Sequence, residues 1–247
     1  MTTESAGGFW ERYRQMFTKR ANDWWHIVFA YPLGRLLVVL IAPLRFITPN
    51  GITFAGFGAT LGAAWLLTRP GDDALIAAVV LMQVATVFDT MDGTLARYRN
   101  SFSPIGAFLD KVFDAFSLFA LCAAVGLRAY GDTGEPWWIV CACAGGASYL
   151  TLCYMYWVVK ALEPERMDAN AVAGVAEIPS WGDIGRTWLR GWAQIIKFEE
   201  ADLYFWIALG AILGQWKWLA IGLAATQGAT VLYKFVAHAR KLSRAAS

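Results

Sequence analysis

Four apolar stretches, at about 51 to 68, 74 to 96, 105 to 128 and 137 to 159, constrain this chain more than any other feature. At 1.5 Å of rise per residue, a helix of about 20 residues covers the roughly 30 Å hydrocarbon core of a bilayer. Residues 203 to 214 and 216 to 237 add two more candidates, parted at Gly214 and Gln215, and the first is short unless its helix begins near Phe198. The expected fold is therefore all-α, an integral membrane bundle of six transmembrane helices. Composition agrees: 57% of the 247 residues are hydrophobic and 16% charged, where a soluble domain carries about 25% charged residues. A soluble globular protein is excluded on those grounds.

Residues 27 to 46 are also apolar, but Pro32, Gly34, Arg35 and Pro43 interrupt the run and put a charge near its middle. This pattern predicts an N-terminal amphipathic helix in the membrane interface, with Trp24, Trp25 and Tyr31 at headgroup level and Arg35 and Arg45 snorkelling to water. A seventh span is the alternative. The first 25 residues carry Arg12, Arg14, Lys19 and Arg20 without a continuous apolar region, which argues against a cleavable signal peptide. With six spans, Arg69, Arg128 and Lys217 fall on one side and the rest of the 21 basic residues on the other. The positive-inside rule then places both termini in the cytoplasm, and the expected location is a bacterial inner membrane.

A net charge of +2 with scattered basic residues gives no reason to expect nucleic acid. Cys122, Cys141, Cys143 and Cys153 lie in apolar stretches without metal-site spacing and read as packed thiols. The longest interruption runs from about 160 to 202, where Trp181, Trp188, Leu189, Trp192, Ile195 and Ile196 recur at helical spacing with Arg186, Arg190 and Lys197 between them. It predicts an amphipathic helix on the cytoplasmic face. The chain thus divides into a cytoplasmic N-terminus with its interfacial helix (1 to 48), a six-helix membrane domain (49 to 237) and a cytoplasmic tail (238 to 247).

Four acids stand at the ends of two apolar segments: Asp89 and Asp92 three apart, Asp110 and Asp114 four apart. Each pair shares a helical face. The short connection from Asn100 to Pro104 makes the two helices antiparallel neighbours, so both acidic ends meet at one edge of the membrane. An ionised Asp at membrane depth costs roughly 2.5 kcal/mol or more, so four together need compensation. Hard carboxylate oxygens suit Mg²⁺, Mn²⁺ or Ca²⁺, and two divalent ions neutralise the cluster better than Arg97, Arg99 and Lys111 do. Gly93 and Gly106 mark either close approach of a ligand or helix packing through small residues.

These residues form the pattern DxxDGxxAR, eight residues, then GxxxDxxxD, from Asp89 to Asp114. It resembles the signature of the CDP-alcohol phosphotransferases, and all its specified positions are present. Pro49, Asn50 and Thr53 are similar to the family's Pro-Asn-x-x-Thr at the start of its first transmembrane helix. The resemblance implies transfer of a substituted phosphate from a CDP-linked alcohol to a second alcohol, with release of CMP. By the same resemblance Asp89, Asp92, Asp110 and Asp114 hold two Mg²⁺ or Mn²⁺ ions and Asp114 is the general base. Arg97 contacts a CDP phosphate, Gly93, Ala96 and Gly106 leave room for the nucleotide, and Asn50 and Thr53 line the same pocket or cap a helix.

The most direct donor is CDP-diacylglycerol, which makes the chain an enzyme of phospholipid synthesis, and a homodimer is expected. For a phosphorylated acceptor the candidate ligands are Lys111, Lys160, Arg186 and Arg190, each of which is equally an ordinary positive-inside residue. His26 and His238 read as headgroup neighbours. Two alternatives stay open: transfer from a soluble CDP-alcohol to a lipid, because Asn100 to Pro104 is similar to the aminoalcohol phosphotransferases, and a divalent-cation transporter, because intramembrane carboxylates also mark ion paths.

Overall fold

The computed structural model of the protein describes residues 8–17, 23–162, 178–195 and 198–245, and every regular element among them is helical. In chain order these are α1 (Phe9–Gln15), a π-helical turn (His26–Ala30) continuing into α2 (Tyr31–Ile41), α3 (Pro49–Leu67), α4 (Asp72–Tyr98), α5 (Pro104–Thr133), α6 (Trp137–Leu162), α7 (Trp181–Trp192), α8 (Glu200–Ile212) and α9 (Trp216–Ala245). Ile196 and Lys197 lie outside the described residues.

Among the described residues four helices are long and apolar enough to cross a membrane: α4, α5, α6 and α9 over Trp216–Ser243. The expectation of six spans is met to that extent. The stretch at 51 to 68 does form α3, but its 19 residues reach only about 28 Å, and four glycines with Thr53 and Thr60 dilute its apolar character. Helix α8, at 13 residues, reaches about 20 Å. The last helix does not stop at 237 but continues through the expected tail to Ala245.

The helix ends follow from local chemistry. Thr48 caps α3, its hydroxyl accepting the Gly51 amide at 3.1 Å, and Pro49 occupies the first turn, where its missing N–H costs nothing. Helix α4 closes with Asn100 in the left-handed conformation (φ 50°) and the Ser101 amide reaching back to the Ala96 carbonyl at 2.9 Å, which satisfies carbonyls that the last turn leaves open. Ser103 then starts α5 by accepting the Gly106 amide at 3.0 Å. The turn expected at Asn100 to Pro104 is therefore built from a stop and a start only a few residues apart.

The chain forms two compact units. The first comprises Met1–Gly56, Gln83–Asp110 and Asn170–Phe205. Its core joins Tyr13, Met16, Val38, Val39, Ile52, Val87, Met91 and Leu95. Gly34 lets α2 lie against α4, since a Cβ there would stand 3.0 Å from Thr90 Cγ2. Arg99 fixes the connection after α2 by donating to the carbonyls of Ala42 (3.0 Å), Leu44 (2.9 Å) and Ile47.

Two expectations for this unit are corrected. Trp24 does not face headgroups but is fully buried, packed on Trp25, Trp192 and Phe205 at centroid distances of 5.2, 6.1 and 4.9 Å. Arg35 does not snorkel to water: it is 2% exposed, with its guanidinium 4.0 Å from the Phe17 ring and 4.2 Å from the Tyr31 ring. Two aromatic faces supply the electrostatic attraction that water otherwise provides. Helix α7 begins with a capping box between Ser180 and Asp183 and does carry its tryptophans on one side. That side touches protein only in part: Trp181 stacks on Tyr13, the Trp188 indole donates to the Val28 carbonyl at 3.0 Å and Gly191 meets Ile27 and Val28, while Trp181, Trp188 and Trp192 all stay exposed. Leu189 remains exposed.

The second unit comprises Phe57–Met82, Lys111–Ala169 and Trp206–Ser247. Leu118, Leu121, Cys122 and Val125 form its buried face on α5, and Phe57 stacks on Phe113 at 4.1 Å. Its helices approach through glycine: a Cβ on Gly145 would stand 2.8 Å from the Leu223 carbonyl carbon, and one on Gly126 2.8 Å from Ile139 Cα. All four cysteines are free thiols, as expected.

Candidate active site

Two helix ends carry the acids. Near its C-terminal end α4 presents Asp89 and Asp92, and the first turns of α5 present Asp110. Carboxylate oxygens of Asp89 and Asp110 come within 4.8 Å of each other. One turn further along the same helix, Asp114 offers an oxygen within 4.8 Å of that of Asp110. All three are half-buried. Lys111 donates to Asp114 Oδ2 at 2.8 Å.

Asp92 stands apart from that group. Its Oδ2 accepts the Thr53 hydroxyl at 2.6 Å, its Oδ1 faces the Gly93 amide, and its side chain is nearly enclosed. The motif glycines have specific neighbours. A Cβ on Gly93 would stand 3.3 Å from Arg97 Nη1, so the missing side chain is the space into which the Arg97 guanidinium folds. A Cβ on Gly106 would stand 3.0 Å from Asn50 Oδ1. Thr48, rather than Asn50 or Thr53, caps α3; Thr53 reaches Asp92, and Asn50 lies beside Gly106.

The candidate acceptor residues have local contacts. Arg186 pairs with Asp183 on its own helix at 2.6 Å, Lys160 lies 5.2 Å from the centroid of the Trp157 ring, Arg190 is exposed, and Lys111 is the one bonded to an acid of the signature.

His26 lies against the acids, not where the sequence suggested. Rather than facing headgroups, it bridges two acids: Nε2 to Asp89 Oδ2 at 3.0 Å and Nδ1 to Asp23 Oδ2 at 2.9 Å. Burial works against the imidazolium, but hydrogen bonds and charge from Asp23 and Asp89 outweigh it and push His26 up to about 10. Both ring nitrogens are then donors. The i, i+3 spacing of Asp23 and His26 was the only sequence signal for it.

A sequence profile of the CDP-alcohol phosphatidyltransferases matches residues 46–226. The chain belongs to that family. Among its relatives is the phosphatidylinositol phosphate synthase of Corynebacterium glutamicum, 34% identical over 113 residues, which are 46% of this chain and 44% of the relative. Another is the archaetidylinositol phosphate synthase of Aeropyrum pernix, 35% identical over 71 residues, 28% of this chain and 34% of the relative. The matched stretch spans less than half the length of these curated relatives. Family membership and the apolar helices together describe a membrane protein with a CDP-alcohol transferase fold.

Proposed function

We propose that this chain transfers a phosphatidyl group from CDP-diacylglycerol to an alcohol and releases CMP, as a step of phospholipid synthesis. The observation that carries the reading is the convergence of Asp89 and Asp110 from separate helices, with Asp114 one turn beyond, inside a complete family signature. Hard oxygen donors at this spacing suit divalent ions whose metal–oxygen distances are about 2.0 to 2.1 Å for Mg²⁺. Asp89, Asp92, Asp110 and Asp114 are the residues that would hold them. When bound, two Mg²⁺ or Mn²⁺ ions supply positive charge to the donor pyrophosphate and to the leaving CMP.

The chain's own groups do the rest. Arg97, seated over Gly93, binds a phosphate of the CDP moiety with an always-charged guanidinium. Asn50, beside Gly106, and Ala96 line the nucleotide side, while Thr53 orients Asp92. Asp114 accepts the proton of the acceptor hydroxyl as that oxygen attacks the lipid-side phosphorus and the bond from phosphorus to the CMP oxygen breaks. A carboxylate is a weak base for an alcohol, so its position, set in part by Lys111, matters more than its basicity.

Both named relatives make an inositol phosphate lipid, so an inositol phosphate is the acceptor proposed here, with Lys111, Lys160, Arg186 and Arg190 as its candidate cationic ligands. A homodimer with six spans, both termini and the active site on the cytoplasmic face of a bacterial inner membrane, completes the reading. The test is CMP release from CDP-diacylglycerol by the purified chain with Mg²⁺ or Mn²⁺, against inositol phosphate, glycerol phosphate, serine and inositol. Turnover with inositol phosphate that disappears in Asp114→Asn is expected. No CMP with any CDP-alcohol and acceptor overturns the proposal.

A further inference from the structure

We propose that Asp23 and His26 are positioning residues that orient Asp89 for its metal ion. The inference rests on the metal-binding reading of the acidic site and adds to it a part of the chain outside the family match, which begins at residue 46. The geometry is a carboxylate–imidazole–carboxylate chain, 2.9 Å from Asp23 to Nδ1 and 3.0 Å from Nε2 to Asp89 Oδ2. A carboxylate tied through one oxygen cannot rotate freely about its terminal bond. The orientation in which it meets a cation is then set before the cation arrives.

The imidazole is itself held on all sides. Its ring stacks on Tyr31 at 5.3 Å. The preceding residue is anchored twice, since the Trp25 indole donates to Gln83 Oε1 on α4 at 2.9 Å and its amide donates to Asp202 Oδ1 at 3.0 Å. Asp202 Oδ2 in turn accepts the Glu199 amide at 3.2 Å. Gln83 and Asp89 lie on one helix, so the segment before α2 grips α4 at two levels, one of them the acid. Gly34 keeps α2 close against α4 at Thr90, the residue after Asp89.

Partners of this kind typically change metal affinity by about 10- to 100-fold. The test is Mn²⁺ binding to the full chain in nanodiscs, read from the free-ion electron paramagnetic resonance signal and independent of turnover. His26→Ala is expected to raise the Mn²⁺ dissociation constant about 10-fold or more. His26→Gln, whose amide can still donate to Asp89, should recover most of that loss, and Asp23→Asn should shift affinity the same way by less. A merely structural role lowers the melting temperature and leaves Mn²⁺ affinity where it was. Folded His26→Ala and Asp23→Asn proteins that bind Mn²⁺ within twofold of wild type overturn the inference. If His26→Ala does not fold, Asp23→Asn decides by the same criterion. A wild-type chain that binds no Mn²⁺ overturns the metal reading itself, a result distinct from wild-type binding that the variants leave untouched.

Discussion

The two units are built by different means. In the first, polar groups are joined by directional bonds: Thr53 to Asp92, His26 to Asp23 and Asp89, Arg99 to three carbonyls, Trp188 to Val28. In the second, backbones meet at glycines, with Gly145 on Leu223, Gly126 on Ile139 and Gly146 on Phe119. Lipid is as apolar as leucine, so helices in it associate through close packing rather than hydrophobic drive. A site that handles phosphates needs charges aimed within tenths of an ångström, which packing alone does not give. The contrast is between a part held by directional bonds, which carries Asp89, Asp92 and Asp110, and a part held by close packing, to which Lys111 and Asp114 belong.

The sharpest way to break this contrast is at a proposed metal ligand. Partners one bond removed from a metal cost up to about 100-fold, so Asp110→Asn is expected to lower CMP release by at least that much while the melting temperature changes little. Retention of a tenth of the activity would falsify a chemical role for the first unit's acids. Thr53→Val comes next. It keeps the side-chain shape but deletes a hydrogen bond to a charged group, worth about 1.5 to 3 kcal/mol, and turnover should fall by roughly 10- to 100-fold.

Substitution in the second unit should act on stability instead. Gly145→Val forces a side chain against the Leu223 backbone, which cannot yield as a flexible side chain would. A loss of about 1 to 3 kcal/mol is expected from such overpacking, seen as a lower melting temperature with turnover per folded molecule unchanged. Turnover that falls ahead of stability contradicts the division of labour.

The smallest effect belongs to the cap of α7. Hydrogen bonds from Ser180 and Arg186 hold Asp183 down at about 2. Because its folded value is depressed, the stabilisation is present above the ordinary carboxylate range and is lost as pH falls through 2. At neutral pH, Ser180→Ala should speed hydrogen exchange of the Asp183 and Ile184 amides and leave CMP release as it was.

Much of the site was legible because its residues are close in sequence. Asp89 and Asp92 share a turn, Asp110 and Asp114 share the next helix, and the Asn100 to Pro104 turn brings the helix ends together without long-range information. The spans were legible where apolar residues run unbroken, as in α4, α5 and α6. They were less so in α3, where glycine and threonine interrupt the run. His26 was misplaced because its partner Asp89 lies 63 residues away, and no periodicity reports a contact of that separation. Arg35 was misplaced for a similar reason: the rings that enclose it include Phe17, from a different segment.

The π-helical turn at His26–Ala30 holds one residue more than an α-helical turn requires, with the Tyr31 amide reaching back five positions to the His26 carbonyl. Deleting one residue between Ile27 and Ala30 lets the segment wind as an ordinary α-helix, and everything before the cut then rotates by about 100° relative to α2. The imidazole swings off the acidic edge while each amino acid that contacts it elsewhere is still in the chain. Helical phase, as much as side-chain identity, is what delivers this histidine to its partner.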